Sequence, residues 1–260
     1  MSTPIAAQVE YDPARRRISF NRIFQIPQML RPAVSSFAGA TIGHLDLERP
    51  AIGLTSVASW FRFAHWRRLH PVERPADGNQ SDRYWLYQST IQKEKLDSEP
   101  IDFWEFGVFR GDSLFDWLKL ISHPESRFCG FDTFTGLPER WRATEAEGAF
   151  NVDGRIPETN APRCRFEVGL FQDTLLPFAS RHDFSRRLVI HLDADLYSST
   201  LFVLTTLSRY FKSGDIVFFD NFICSTDEFR AFEDFVKAFR VKYEVLGGVQ
   251  EYLRVCVKIL

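Results

Sequence analysis

Residues 188–222 read LVIHLDADLYSSTLFVLTTLSRYFKSGDIVFFDNF and contain two short apolar runs, each of which ends in polar residues. Asp193 and Asp195 follow the first run, and Asp220 and Asn221 follow the second. Apolar residues recur at helical spacing between them, so the stretch is predicted to form a strand, a helix and a second strand. If the two strands are parallel neighbours, both polar clusters lie at one edge of the sheet. Carboxylates there repel each other unless a cation lies among them.

Strand-like and helix-like segments alternate through the chain from residue 101 onward. They follow in the order strand 101–109, helix 112–122, strands 127–133 and 163–170, strand 187–195, helix 198–211, strand 215–222 and helix 227–240. A last pair of strands, YEVLGG and YLRVCVKIL, is joined by a short connection that suits an antiparallel hairpin. This order, five βα units and then an antiparallel pair, predicts an open, doubly wound, Rossmann-like α/β sheet. A (β/α)₈ barrel would need eight such units.

Two regions lack this alternation. Residues 135–162 are rich in Gly, Pro and charged residues and are predicted to form a long loop, of the length that lids and binding loops often have. Residues 1–80 are predicted to form an N-terminal extension or cap before a domain at 81–260, whose first helix covers 83–96. Within the extension, residues 55–70 combine aromatic residues with Arg. They are predicted to form a helix packed on the domain, with a membrane surface or a partner as the alternative.

Composition indicates a globular cytoplasmic protein. The 260 residues are 45% hydrophobic and include 26 Phe, enough for a full core. The formal charge is −2 and the basic residues are scattered, which argues against nucleic-acid binding. No apolar stretch approaches the roughly 20 residues that cross a bilayer, and the start of the chain does not resemble a signal peptide. The four cysteines are isolated, which favours a reducing compartment.

Glycines occupy the turn after the first predicted strand. The segment EFGVFRGDS places Gly107 and Gly111 where the backbone can approach a ligand and where a helix start offers free N–H groups. The segment matches neither the dinucleotide pattern nor the P-loop. Asp132 ends the second strand, the position at which doubly wound folds often bind ribose hydroxyls. Together these features favour an adenosine-bearing cofactor without a pyrophosphate, and S-adenosylmethionine fits that description.

Four ordered motifs carry a family resemblance: EFGVFRGDS, GFDTFTGLP, VGLFQDTL and HLDADLYSST with GDIVFFDNF. Over about residues 84–260 they resemble the macrocin O-methyltransferase type of class I S-adenosylmethionine-dependent methyltransferases. The resemblance implies a seven-stranded, mostly parallel sheet with an antiparallel last strand. It also implies where the cofactor lies. The ribose would lie near Asp132 and the adenine near Asp173. The methionine end would lie near four residues: Glu105, Gly107, Gly111 and Ser113.

The same resemblance implies a Mg²⁺ site that holds the hydroxyl to be methylated, with Asp193, Asp220 and Asn221 as ligands. The family usually has two aspartates at the last two positions, and Asn221 still offers a carbonyl oxygen. A cation there would lower the pKa of the hydroxyl and fix its direction. Asp193 is the first candidate for the base that takes the proton, followed by Asp195 and His191.

Structural alternatives remain open for several of these residues. Asp195 suits the N-cap of the helix that starts near residue 198. His191 lies inside an apolar strand and suits a hydrogen-bonded core histidine, whereas Asp220 and Asn221 suit a polar strand end.

The acceptor is predicted to be a small hydroxylated molecule such as a sugar or glycoside. A catechol-type enzyme would place a lysine shortly after the first metal aspartate, and ADLYSS contains none. Two other functions remain open: a nicotinamide-dependent oxidoreductase, which the glycine turn disfavours, and a non-catalytic scaffold that binds a partner through the N-terminal region. That region is also the candidate surface for a homo-oligomer.

Overall fold

A computed structural model describes residues 48–72 and 82–260 of the chain. Its helices and strands, in chain order, are α1 (Glu48–Leu69), α2 (Asp82–Glu94), β1 (Ile101–Phe106), α3 (Asp112–Leu120), β2 (Arg127–Asp132), β3 (Cys164–Val168), α4 (Phe171–Arg181), β4 (Arg187–Leu192), α5 (Tyr197–Leu207), β5 (Ile216–Phe219), α6 (Glu228–Phe239), β6 (Tyr243–Val249) and β7 (Arg254–Ile259). Residues from Ile52 to Leu260 form one compact unit. Most of the predicted extension lies outside the described residues, and a domain boundary near residue 80 stays a prediction.

The strands form one seven-stranded sheet in the order β3-β2-β1-β4-β5-β7-β6. The first five strands of that order are parallel, and β7 pairs antiparallel with both β5 and β6. Phe106 of β1 pairs with Leu192 of β4, and Leu192 pairs with Phe219 of β5, so the carboxyl ends of these strands are level. The predicted fold class and the antiparallel last pair are confirmed.

The connections after β2 and β3 correct the prediction of five βα units. The described residues between Asp132 and Cys164 form neither a helix nor a strand, whereas β3 is followed by α4, a helix that the predicted order lacked. Four of the five parallel strands are therefore followed by a helix. The long loop predicted at 135–162 occupies the place between β2 and β3. Its Gly, Pro and charged residues offer no apolar stripe that could pack as a helix on the sheet.

Two apolar clusters cover the two faces of the sheet. Along β1, Trp104 and Phe106 belong to one cluster and Ile101 and Phe103 to the other, as the two-residue period of a strand requires. The first cluster also takes side chains from α1, α4, α5 and α6, and the second takes side chains from α2 and α3. Helices on both faces explain why β1, β4 and β5 are almost entirely buried.

Helix α1 packs on the domain, as predicted for residues 55–70. The Trp66 ring lies 4.9 Å from the Phe222 ring, and the Phe63 ring lies 5.3 Å from the Phe229 ring. The indole N–H of Trp66 donates a hydrogen bond to the Tyr243 hydroxyl over 2.8 Å. Within the described ranges, no helix has the length and apolar character needed to cross a membrane.

Candidate active site

A cavity of about 340 Å³ lies at the carboxyl ends of the parallel strands, within the size range of small-molecule sites. Its wall includes the turn after β1, the β2–β3 loop and the start of α4. We call Asp132, Thr133 and Gln172, which lie at or just after the ends of β2 and β3 on this wall, the β2 side. We call the residues that follow β4 and β5 the β5 side, formed by Asp195, Ser199 and Asn221. Asp193 also lines the cavity, directly after β4.

Gly107 brings the turn after β1 against the residue that follows β4. Its φ of +88° lies in the left-handed region, and a Cβ atom there would lie 2.0 Å from the carbonyl oxygen of Asp193. Gly111, at the start of α3, also has a positive φ, of +85°. Only glycine fits the first position, so the sequence signal at Gly107 reflects a real steric requirement.

Glu105 and His191 form a buried hydrogen-bond network behind the cavity. The Ser113 hydroxyl donates to Glu105 Oε1, and His191 Nδ1 lies 2.8 Å from the same oxygen. The Tyr87 hydroxyl lies 3.1 Å from His191 Nε2, so both ring nitrogens are hydrogen-bonded if Nδ1 carries the proton and Nε2 accepts. The second oxygen of Glu105, Oε2, is buried and has no hydrogen-bond partner among the described residues. His191 is buried and is not on the cavity wall, the placement of the core-histidine alternative.

Asp132 stabilises the turn after β1 by accepting hydrogen bonds from its backbone. Its Oδ2 accepts hydrogen bonds from the backbone N–H groups of Val108 and Phe109 over 2.7 and 2.8 Å, and Oδ1 accepts from Phe134 N–H over 2.8 Å. A carboxylate has about four lone-pair sites, so Asp132 keeps acceptor capacity toward the cavity that it lines. Its predicted contact with ribose hydroxyls stays a prediction.

The motif at the start of α4 reaches the cavity through residues other than Asp173. Leu170, Phe171 and Gln172 line the wall, whereas Asp173 is exposed and lies outside it. In the first turn of a helix, neighbouring side chains point about 100° apart, so a motif alone does not say which residue faces a ligand. Gln172 is the polar side chain of this motif that faces the cavity.

Asp193 brings a carboxylate to the cavity wall. Among the residues that the structure describes, none donates a hydrogen bond to its side-chain oxygens, although its backbone N–H bonds to the Phe106 carbonyl. Burial raises the pKa of Asp193 well above its usual range, and the charges of Asp220, Asp195 and Glu105 raise it further. The predicted concentration of acids at this edge is therefore present.

Asp195 holds the side chain of Asn221. The Asn221 Nδ2 group donates to Asp195 Oδ1 over 2.8 Å, and burial followed by the charge of Asp220 raises the pKa of Asp195 to about 7. The helix-cap alternative for Asp195 is wrong, because Leu196 is the N-cap residue of α5 and no side chain caps that helix. Instead of capping α5, the Asp195 side chain bonds to Asn221 and so joins the segments that follow β4 and β5.

Asp220 has a cationic partner that the sequence pattern did not reveal. Arg254 of β7 donates from Nε to Oδ1 over 2.7 Å and from Nη2 to Oδ2 over 3.2 Å, a two-pronged ion pair. Arg83 Nη1 lies 3.8 Å from Asp220 Oδ1. The strand order places β7 next to β5, and no local signal in the sequence indicates that pairing.

The donor set partly fits a hard divalent cation. Asp193 and Asn221 lie on the cavity wall, and the bond from Asn221 to Asp195 leaves its carbonyl oxygen available. The third predicted ligand, Asp220, is off the wall and engaged by Arg254. Ligand atoms of Glu105, His191 and Asp193 lie within 4.8 Å of one another, but Glu105 and His191 already bind each other.

The β2–β3 loop folds back on itself over the cavity. Leu137 N–H donates to the Ala149 carbonyl and Gly148 N–H donates to the Leu137 carbonyl, both over 2.9 Å. Phe150 of this loop contacts Phe109 edge to face, with the ring centroids 6.0 Å apart. Trp141 and Phe150 both line the cavity, so this predicted binding loop forms part of its wall.

Comparisons with known proteins agree with this geometry. Residues 81–249 match the family described as Macrocin-O-methyltransferase (TylF). A relative from Streptomyces olivaceus, 8-demethyl-8-(2,3-dimethoxy-alpha-L-rhamnosyl)-tetracenomycin-C 4'-O-methyltransferase, is 30% identical over 184 residues, which cover 63% of this chain and 67% of the relative.

Two solved structures share the fold. CalS11, a calicheamicin methyltransferase, superposes with a TM-score of 0.56 at 20% identity, covering 78% of this chain and 91% of that one. The O-methyltransferase NovP superposes with a TM-score of 0.56 at 18% identity, covering 79% and 98%. The family match spans most of the chain, so this protein is an O-methyltransferase and belongs to the macrocin O-methyltransferase family.

Proposed function

We propose that this enzyme transfers the methyl group of S-adenosylmethionine to a hydroxyl of a sugar-containing small molecule. The observation that carries the proposal is the Asp193 carboxylate on the cavity wall, beside the Gly107 turn, which accepts no hydrogen bond from the part of the chain that the structure describes. The relative from Streptomyces olivaceus, whose name specifies a rhamnosyl group, supports the acceptor class. Family membership sets aside the oxidoreductase and scaffold alternatives.

In this proposal the two sides of the cavity hold the two substrates. The β2 side, which carries Asp132 and Gln172, takes the cofactor, and the β5 side takes the acceptor. Asp193 follows β4, between the two sides, so it can receive the proton of the acceptor hydroxyl as the oxygen–methyl bond forms and the sulfur–methyl bond breaks. Without a bound cation, burial and neighbouring acids raise the pKa of Asp193, which makes it a stronger base than an exposed aspartate.

We further propose that Asp193 and Asn221 hold Mg²⁺ at the β5 side, with Asp220 behind them. The ion would lower the pKa of the acceptor hydroxyl and hold it in a fixed direction. Asp195 contributes by orienting the Asn221 amide, since the bond from Nδ2 directs the carbonyl oxygen away from Asp195. This assignment keeps Asp193, Asp220 and Asn221 as the proposed set and makes Asp220 the weakest member, because Arg254 binds it.

The acceptor class is tested by methyl transfer from radiolabelled S-adenosylmethionine. We expect label in rhamnosylated polyketides and in simple methyl rhamnosides, and none in the matching polyketide cores that lack the sugar. A sugar forms several hydrogen bonds through its hydroxyl groups. A site that binds those hydroxyls rejects an analogue without the sugar, because the polar groups of the site are then left unpaired. Labelling of the sugar-free cores at an equal rate would contradict the proposed acceptor class.

The metal is tested by chelation. Excess EDTA should lower the rate of methyl transfer by about 100-fold or more, because the charge stabilisation that a bound cation supplies is worth several kcal/mol. Added Mg²⁺ should restore the rate, and calorimetric binding of S-adenosylmethionine should change little because the cofactor uses the β2 side. Full activity in excess EDTA would rule out the metal and leave Asp193 to act as a simple general base.

A further inference from the structure

Trp141 lies on the cavity wall, in the β2–β3 loop, and is tied to the β5 side by its neighbour Arg142. The Arg142 guanidinium donates from Nη2 to Cys224 Sγ, three residues beyond Asn221. This contact places the loop segment that carries Trp141 beside the residues that follow β5.

The indole of Trp141 is held in place from behind. The Arg142 Cζ atom lies 3.7 Å from the centroid of the Trp141 ring, so the guanidinium covers one face of the indole. The Trp141 backbone N–H donates to the Glu145 carbonyl over 3.0 Å, which closes a turn at the base of the side chain. An aromatic plane that is fixed before a ligand arrives loses little entropy on binding.

The cavity wall that carries this apolar plane also carries polar groups. Asp195, Ser199 and Asn221 bring a carboxyl, a hydroxyl and an amide to the wall, and all three are hydrogen-bonding partners for hydroxyl groups. A pyranose ring has an apolar face of C–H groups and a rim of hydroxyls. A flat indole beside short polar side chains matches both parts of such a ring.

We propose that Trp141 is the specificity-determining residue that stacks on the sugar ring of the acceptor, while side chains of the β5 side bind its hydroxyls. This inference rests on the proposed function, because it needs a sugar in the cavity. It assigns a binding role to a residue of the loop, which carries none of the residues predicted for catalysis. The methyl-transfer chemistry itself is left to Asp193.

The experiment compares Trp141→Phe and Trp141→Leu with the wild-type enzyme on methyl rhamnoside. Trp141→Leu should raise KM about tenfold, whereas Trp141→Phe, which keeps an aromatic plane, should stay within about threefold. For both variants kcat and the Kd for S-adenosylmethionine should stay within about twofold. Trp60→Leu is the matched control, since Trp60 is 57% exposed on α1 and does not line the cavity.

A binding measurement removes the dependence on catalysis. Methyl rhamnoside should change the tryptophan fluorescence of the wild-type enzyme and of Trp60→Leu, and the change should disappear in Trp141→Phe. If the wild type binds the sugar and Trp141→Leu binds it equally well, the stacking role is wrong while the proposed function stands. A loss of cofactor affinity as large as the loss of acceptor affinity would likewise overturn it, because that result indicates a structural role. If the wild type neither binds nor methylates any glycoside, the proposed function fails and this inference fails with it.

Discussion

Replacing Asp193 by asparagine is expected to slow methyl transfer by about 10²–10⁴-fold, the usual contribution of a positioned general base. The amide cannot take the proton from the acceptor hydroxyl, and it is a weaker ligand for a hard cation. Binding of S-adenosylmethionine should change by no more than a few-fold. The decisive measurement is single-turnover methyl transfer, which separates the chemical step from binding and product release.

The same substitution should stabilise the fold. The pKa of Asp193 is raised in the folded protein, so its ionised form opposes folding at every pH above the usual pKa of an aspartate. Wild-type stability from this group is therefore greatest in acid and is lost as the pH rises through the usual range toward the raised pKa. At pH 7 in EDTA, Asp193→Asn should raise Tm by about 2–4 °C, which corresponds to about 1 kcal/mol in a chain of this size.

Asp116→Asn provides the control for this pair of effects. Asp116 forms a 3.1 Å ion pair with Lys119 on the surface of α3, so its neutralisation should leave the rate unchanged and stability nearly so. An Asp193→Asn enzyme that keeps the wild-type rate would remove Asp193 from the chemistry. A lower Tm for that variant would show that the Asp193 carboxylate has a stabilising partner in the folded protein.

Gly107→Ala is expected to destabilise the protein by more than about 3 kcal/mol and to abolish cofactor binding. Two effects add: the left-handed φ of +88°, which costs an alanine about 1–2 kcal/mol, and the clash with the Asp193 carbonyl. Relief of the clash requires the β1–α3 turn and the end of β4 to move apart. Both Gly107 and Asp193 are then displaced from the cavity wall. Urea unfolding and calorimetry of cofactor binding measure the two losses.

Gly148→Ala separates the two causes. Gly148 has a φ of +80°, close to that of Gly107, but a Cβ atom there would meet nothing within 4 Å. It should therefore show the conformational cost alone, about 1–2 kcal/mol. Equal destabilisation by the two substitutions would mean that the close approach of Gly107 to Asp193 is unimportant.

The sequence was sufficient to predict the sheet because its signals are local. Apolar runs such as 188–192 and 216–219 identify buried strands, and the short link near residue 250 identifies the final antiparallel pair. The convergence of Asp193 and Asn221 followed from one rule, that parallel strands end at the same edge of a sheet. Gly107 could be predicted as a site residue because its position in the turn after β1 has no room for a Cβ atom, and only glycine lacks one.

The parts that escaped prediction depend on contacts between distant residues. Arg254 is 34 residues from Asp220 in sequence, and only the insertion of β7 beside β5 brings them together. Trp141 lies in a loop without periodicity, so its place on the cavity wall depends on how the loop folds. The position of Asp195 at φ +59° directs its carboxyl toward Asn221 instead of the helix start, which residue type alone does not reveal.

The insertion of β7 between β5 and β6 also affects the route by which the protein folds. A partly folded state that has assembled β1 to β5 without β7 would leave Ile216–Phe219 as an unprotected edge strand of four apolar residues. In that state Asp220 would also lack Arg254, and the acid cluster would repel itself at the open edge. When β7 pairs with β5, it covers this exposed strand edge and brings Arg254 to Asp220 in the same step. Aggregation during refolding should therefore be most sensitive to substitutions that delay this strand.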